Sequence, residues 1–162
     1  MLLWFVGLSM VLVWAVFRSP AVDYRTVALG AVLPVGELAV GRPFLLHTLV
    51  AAAVVLAAVV LATDRRGRAR RRWLGVPIGM LLHLVLDGVW SDSALFWWPA
   101  FGVEFADRSL PEVSRGLFSV VLEVAGAAAL AWWWRRFDLG DPERRRTFLR
   151  TGRVEASSGT VR

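Results

Sequence analysis

No cysteine occurs among the 162 residues, which excludes disulfides, thiolate metal sites and cysteine nucleophiles together. Lysine is absent too: all 19 basic residues are arginine. A phosphate-binding Gly-x-x-x-x-Gly-Lys-Ser/Thr loop is therefore excluded. No Gly-x-Ser-x-Gly elbow occurs, and Ser91 and Ser93 have no base placed for them. Charge is scarce, at 20% of residues against 57% hydrophobic. A soluble domain carries about 25% and 45–50%. Disorder is excluded, because a disordered chain needs low hydrophobicity. No internal repeat divides the chain.

What is present is a series of long apolar runs. They predict an all-α integral membrane protein, a compact bundle of four to five transmembrane helices in one domain over residues 1–136. Leu2–Phe17 is uncharged and lacks the basic start and small-residue cleavage site of a signal peptide, so a retained span is expected. Val27–Val40 contains Gly30, Pro34, Gly36 and Glu37, which predicts a short, broken or re-entrant segment. Phe44–Ala62, Trp73–Trp90 and Leu117–Trp134 are the other expected spans. Pro77 either starts the Trp73–Trp90 helix late or kinks it. Leu95–Phe101 (LFWWPAF) suits an aromatic interfacial belt. Residues 137–162 form a basic tail expected to be partly disordered, most of all after Thr151.

The formal net charge of +6 would suggest nucleic acid in a soluble protein, but its distribution argues otherwise. Six arginines lie in Asp64–Arg72 and eight in Arg135–Arg162, each cluster beside an apolar run. That is the positive-inside signal: both clusters are expected in the cytoplasm, with anionic-lipid contact as a lesser role and no nucleic-acid partner. The C-terminus is then cytoplasmic. The N-terminus is outside if Val27–Val40 crosses fully and inside if it is re-entrant.

Ionisable residues within apolar runs are costly and mark candidate sites. His83 and Asp87 are four apart and share a helical face with Gly79 and Gly75, a stripe that admits a close neighbour. At 1.5 Å per residue, His47 lies roughly 26 Å from the start of the arginine loop at Asp64, and His83 and Asp87 lie roughly 17 and 23 Å from its end at Arg72. Antiparallel helices would bring the three to one layer. Glu123 falls in the same layer, and Glu37 is within reach of His47. Neutral imidazoles with carboxylates are the ligand set of zinc, manganese or iron. His47, His83 and Asp87 are expected as ligands of a divalent metal, zinc first and manganese second. Glu37 would complete the shell or serve as general base, and Glu123 is a weaker candidate ligand. The competing readings are structural: a His83–Asp87 hydrogen bond, a hydrated His47, and Glu123 paired with Arg115 or Arg42 or facing a hydrated cleft. Asp92, Glu104, Asp107 and Glu112 read as solvated loop charges, and Asp23 with Arg25 as an exposed turn.

Four stretches carry a family resemblance: Leu33–Leu38 (LPVGEL), Arg42–Thr48 (RPFLLHT), Gly79–Asp87 (GMLLHLVLD) and Trp98–Pro99. In this order they resemble the inner-membrane metal-dependent hydrolase family of the YdjM type, over roughly Ala28 to Gly102. That family has Leu-Pro-Asp-x-Asp-His, then His-Arg-Gly-x-Thr-His-Ser, then a Gly-x-x-x-His-x-x-x-Asp helix with a later Trp-Pro. The resemblance implies a bacterial inner-membrane location and a metal site on His47, His83, Asp87 and Glu37. The chain departs from the pattern at Val35, at Leu38 and in the Gly41–Pro43 neighbourhood, where the family has an acidic residue and two histidines. A two-metal pattern is thereby reduced to one site.

Three functions follow as expectations. The first is a membrane-embedded hydrolase acting through a metal-activated water, with Glu37 and Asp87 in catalytic roles, on an ester or phosphoester of a lipid or membrane-associated substrate. The second is a non-catalytic membrane scaffold or degenerate family member whose polar cluster is structural. The third is a small proton- or ion-coupled transporter, which lacks the expected pair of broken helices.

Overall fold

The computed structural model describes residues 1–40, 45–103 and 116–154, and among these the chain is entirely helical. Helix α1 spans Leu2–Phe17. Helix α2 spans Tyr24–Val32, started by Asp23, whose carboxylate accepts from the Arg25 N–H. It then tightens into a 3-10 stretch, Leu33–Val40. Pro34 stands at this change, where it has no N–H to continue the α-helical ladder. The expected broken segment is thus a nine-residue α-helix followed by 3-10 winding, and its α-helical part begins three residues earlier than Val27.

The expected span at Phe44 begins later. Leu45–His47 is a 3-10 turn, and helix α3 runs Leu49–Ala62 because Thr48 caps it, accepting from the Ala51 N–H. The expected span Trp73–Trp90 is divided. Trp73 closes helix α4 (Arg68–Trp73), helix α5 spans Gly75–Asp87, and Val89–Ser91 is a 3-10 turn. Pro77 sits in the first turn of α5, where N–H groups have no partner within the helix, so it stands at the helix start, which comes at Gly75 rather than after Val76. Gly88, at φ 73°, ends it in the left-handed region. Helix α6 is one turn, Ser93–Phe96, capped by Asp92. Helix α7 spans Leu117–Arg136 and helix α8 Pro142–Thr151. By length and composition α7 alone among the described helices is long and apolar enough to cross a membrane; α1 and α3 are apolar but shorter. Arg42, Glu104, Asp107, Arg108, Glu112 and Arg115 lie outside the described residues.

Contacts fix the directions. Gly7 packs on Gly126 and Trp14 on Trp133, so α1 and α7 run parallel. Gly75 packs on Thr26 and Gly79 on Val27 and Ala31, so α2 and α5 also run parallel. A methyl group on Gly79 would overlap the Val27 carbonyl oxygen, and one on Gly30 would overlap that of Val76. Only glycine permits this backbone contact. Helix α3 runs against α5, with Ala51, Ala52, Val76 and Met80 in a shared apolar cluster and Arg70 of α4 bonded to the last-turn carbonyl of Val60.

The bundle therefore has two unlike ends. One gathers the starts of α1, α3 and α7 with the end of α5. The other gathers the start of α2 with the arginine-rich segments. The tail belongs to this second end. Asp141 caps α8 by accepting from Glu143 and Arg144 N–H, and Gly152 follows it at φ 70°. The Tyr24 N–H donates to the Gly152 carbonyl at 2.8 Å, and Arg25 Nη1 donates to that of Leu149 at 2.6 Å. Phe137, Leu139 and Val154 are buried in one cluster with Met10, Val13, Tyr24 and Trp133. The tail is thus folded onto the bundle through Val154; residues 155–162 lie outside the described residues.

Candidate metal centre

Three elements converge near the first of these ends. The 3-10 stretch brings Glu37, the turn before α3 brings His47, and the last turns of α5 bring His83 and Asp87. His47 and His83 are fully buried, Asp87 is 1% exposed and Glu37 7%. One ligand atom from each of His47, His83 and Asp87 lies within 4.8 Å of the other two. The imidazole rings meet edge-on with centroids 5.3 Å apart.

Each ring is oriented through its Nδ1. His83 Nδ1 lies 2.8 Å from the Ala31 carbonyl oxygen, an acceptor only, so it carries the proton and donates. His47 Nδ1 lies 2.6 Å from Glu37 Oε2. Both Nε2 atoms are buried and have no hydrogen-bond partner. A neutral imidazole with a proton on Nδ1 presents a lone pair at Nε2, which is the ligand form for a metal. Phe5 of α1 stacks on the His83 ring, centroids 4.0 Å apart, and fixes it from the other side.

The tight packing of α2 on α5 creates half of this arrangement. Because glycines let the two backbones touch, the Ala31 carbonyl comes within reach of a histidine side chain on α5. That carbonyl stands just before the helix gives way to 3-10 winding.

Glu37 differs from expectation. Its Oε1 accepts from the Leu46 N–H at 2.6 Å and its Oε2 faces His47 Nδ1. Both oxygens are thus turned to the back of the histidine turn. This makes Glu37 the orienting carboxylate of His47 rather than a fourth ligand or a base facing the three ligand atoms. Glu37→Gln is expected to weaken metal binding about 10–100-fold while keeping the fold, measured by competition with a chromophoric chelator.

Glu123 stands apart from the group. Its carboxylate accepts from Leu2 and Leu3 N–H, both at 2.7 Å, and from Trp4 N–H at 3.2 Å, with the Met1 ammonium 3.5 Å away. It supplies the missing cap of α1 from the neighbouring helix. Neither Arg115 nor Arg42 is needed to account for it.

Asp23 and Arg25 are not an exposed turn. Asp23 is 3% exposed, bonded by Arg25 Nη2 at 2.7 Å and by Nε at 3.0 Å, with Arg72 Nε 3.6 Å away. Part of the signal was in the sequence: Asp before Tyr-Arg-Thr is a favoured helix start.

No family model, no curated protein and no solved structure matches the chain.

Proposed function

We propose that this chain is a multi-pass membrane protein in which His47, His83 and Asp87 bind one divalent metal, zinc by its ligand set, for hydrolysis of an ester or phosphoester in a membrane-associated substrate. The observation that carries the reading is the pair of buried Nε2 atoms without partners, beside a buried carboxylate. Two imidazoles and one carboxylate make a three-ligand set that leaves a position open, as catalytic zinc requires. When bound, zinc supplies Lewis acidity and lowers the pKa of a coordinated water to about 7. The chain's own part is to orient both rings through their Nδ1 atoms, so that each Nε2 is left for the metal, and to keep bulk water from the group. The resemblance to the YdjM-type family points the same way through His47, His83 and Asp87. Manganese is the second choice of metal.

The membrane placement rests on where the apolar surface lies. Along α7, Leu117 is 82% exposed and Val124 64%, and on α3 Leu61 is 86% exposed. Such a surface suits lipid better than water. With the arginine-rich end in the cytoplasm, the inner membrane is the compartment, and the metal group lies toward the outer face. The parallel pairing of α1 with α7 then puts the start of α1 outside.

The engagement of both Glu37 oxygens favours a second reading, in which the metal holds the bundle together without turnover. One experiment separates them. Detergent-purified protein is analysed for bound metal, then assayed on micellar ester and phosphoester substrates before and after chelation and zinc return. Hydrolysis lost on chelation and recovered with zinc supports the enzyme. Stoichiometric metal without turnover supports the structural role, and absence of metal binding rejects both.

A further inference from the structure

The arginine-rich end contains a pocket that the metal centre does not use. It has a volume of about 290 Å³, and Arg25, Arg68, Arg72, Arg150 and Arg153 line it together with Asp23. These five cations come from three places far apart in sequence: the start of α2, helix α4, and the end of α8. Asp23 is buried and holds Arg25 and approaches Arg72, so one carboxylate arranges two of the guanidinium groups. The side chains of Arg68, Arg150 and Arg153 form no ion pair with the described residues. Five positive charges against one negative charge, around one concavity, attract an anion. Each guanidinium presents a planar fork of N–H donors suited to phosphate oxygens.

A second cavity of about 260 Å³ adjoins the first, with Ala21 lining both. Its walls are mostly apolar, from Phe17 at the end of α1, Val22, and Leu74 and Ile78 by the start of α5, with Ser19 and Arg71 as the polar members. It lies beside the arginine pocket, where Ala21 separates the two. A free phosphate has no use for such a groove, whereas a phospholipid has an acyl chain to place in it.

We propose that this composite site binds an anionic phospholipid, its phosphate among the arginines and an acyl chain in the groove. Basic pockets at the cytoplasmic ends of membrane helices are suited to such headgroups. The site rests on the membrane placement proposed above and is independent of the metal. Because α8 supplies part of the pocket, bound lipid would clamp the tail to α2 and α4.

The full chain, purified in mild detergent, is titrated with short-chain phosphatidylglycerol, short-chain phosphatidylcholine, glycerophosphoglycerol and inorganic phosphate, and thermal melting is followed. Phosphatidylglycerol alone is expected to raise the melting temperature at micromolar concentration. Arg68→Gln with Arg150→Gln should weaken that effect about tenfold or more. Arg65→Gln with Arg146→Gln removes equal charge outside the pocket and should leave it unchanged. Equal loss in the two double variants would overturn the site, since net charge would then suffice. A response to inorganic phosphate or glycerophosphoglycerol equal to that of the lipid would overturn the lipid assignment. Should the first double variant not fold, the single variants Arg68→Gln and Arg150→Gln carry the same comparison. Sedimentation of wild type and variants with cell membranes checks the membrane placement separately; a chain found in the soluble fraction would reject that placement whatever the melting data show.

Discussion

His83→Ala is expected to bind zinc more than about 100-fold more weakly than the wild-type chain. Loss of an orienting partner behind a ligand typically costs 10–100-fold, and loss of the ligand itself must exceed that. The substitution also removes the ring that Phe5 stacks on and that Ala31 holds, so it should lower stability by a few kcal/mol, roughly the cost of emptying a large buried site. Two measurements keep these effects apart. Chelator competition reports affinity directly. Melting with and without zinc reports the linkage, since a metal at about 100 times its dissociation constant stabilises the wild type by about 2.7 kcal/mol. In His83→Ala that zinc-dependent increment should vanish. Phe5→Leu is the matching control: it loosens the packing but leaves the ligand, so melting should drop while the zinc increment stays. A wild-type chain with no zinc increment would end the metal reading.

Gly79→Val should cost about 3 kcal/mol or more, among the largest effects available from one position. The atoms that a Cβ would meet are backbone: the Val27 carbonyl oxygen, which it would overlap, and the Ala31 nitrogen at 2.7 Å. They cannot swing away as a side-chain tip can, so α2 must separate from α5. The Ala31 carbonyl would then leave His83 Nδ1, and metal affinity should fall together with stability. Gly36→Ala is the contrast, because nothing lies within 4 Å of the added methyl group; it should stay within about ±0.5 kcal/mol. Similar melting temperatures for Gly79→Val and Gly36→Ala would show that the contact between the two helices carries little of the stability.

The candidate centre was legible where helical periodicity and length arithmetic apply. His83, Asp87 and Gly79 share a face by spacing alone, and the opposed directions of α3 and α5 follow from the arginine loop between them. His47 meets His83 and Asp87 as the depth estimate expected, because most of the stretch from His47 to Asp64 is the helix Leu49–Ala62. Periodicity says nothing about Glu37. Its role depends on how a 3-10 stretch folds back on the Leu46 N–H, and such winding leaves no lasting hydrophobic pattern to read. Glu123 falls in the expected layer, but the start of α1 that it caps was not foreseen, since a depth along one helix cannot tell which neighbour faces it. The α8 tail was hidden by composition. Its arginines read as an orientation signal on a partly disordered tail, while Leu139 and Val154, which seat it, are too isolated to form a pattern.

The docking of that tail has a consequence for biosynthesis. Arg25 bonds to Leu149 across 124 residues of chain. At about 5–20 residues per second, the start of α2 leaves the ribosome roughly 6–25 s before its partner exists. Until Arg72 has been made as well, the Asp23 carboxylate has only its near neighbour to offset its charge. Arg25, two residues on and bonded to it through both Nε and Nη2, needs no later segment to do so. The pair can therefore hold the first connection in its final shape while the rest of the chain is still being made.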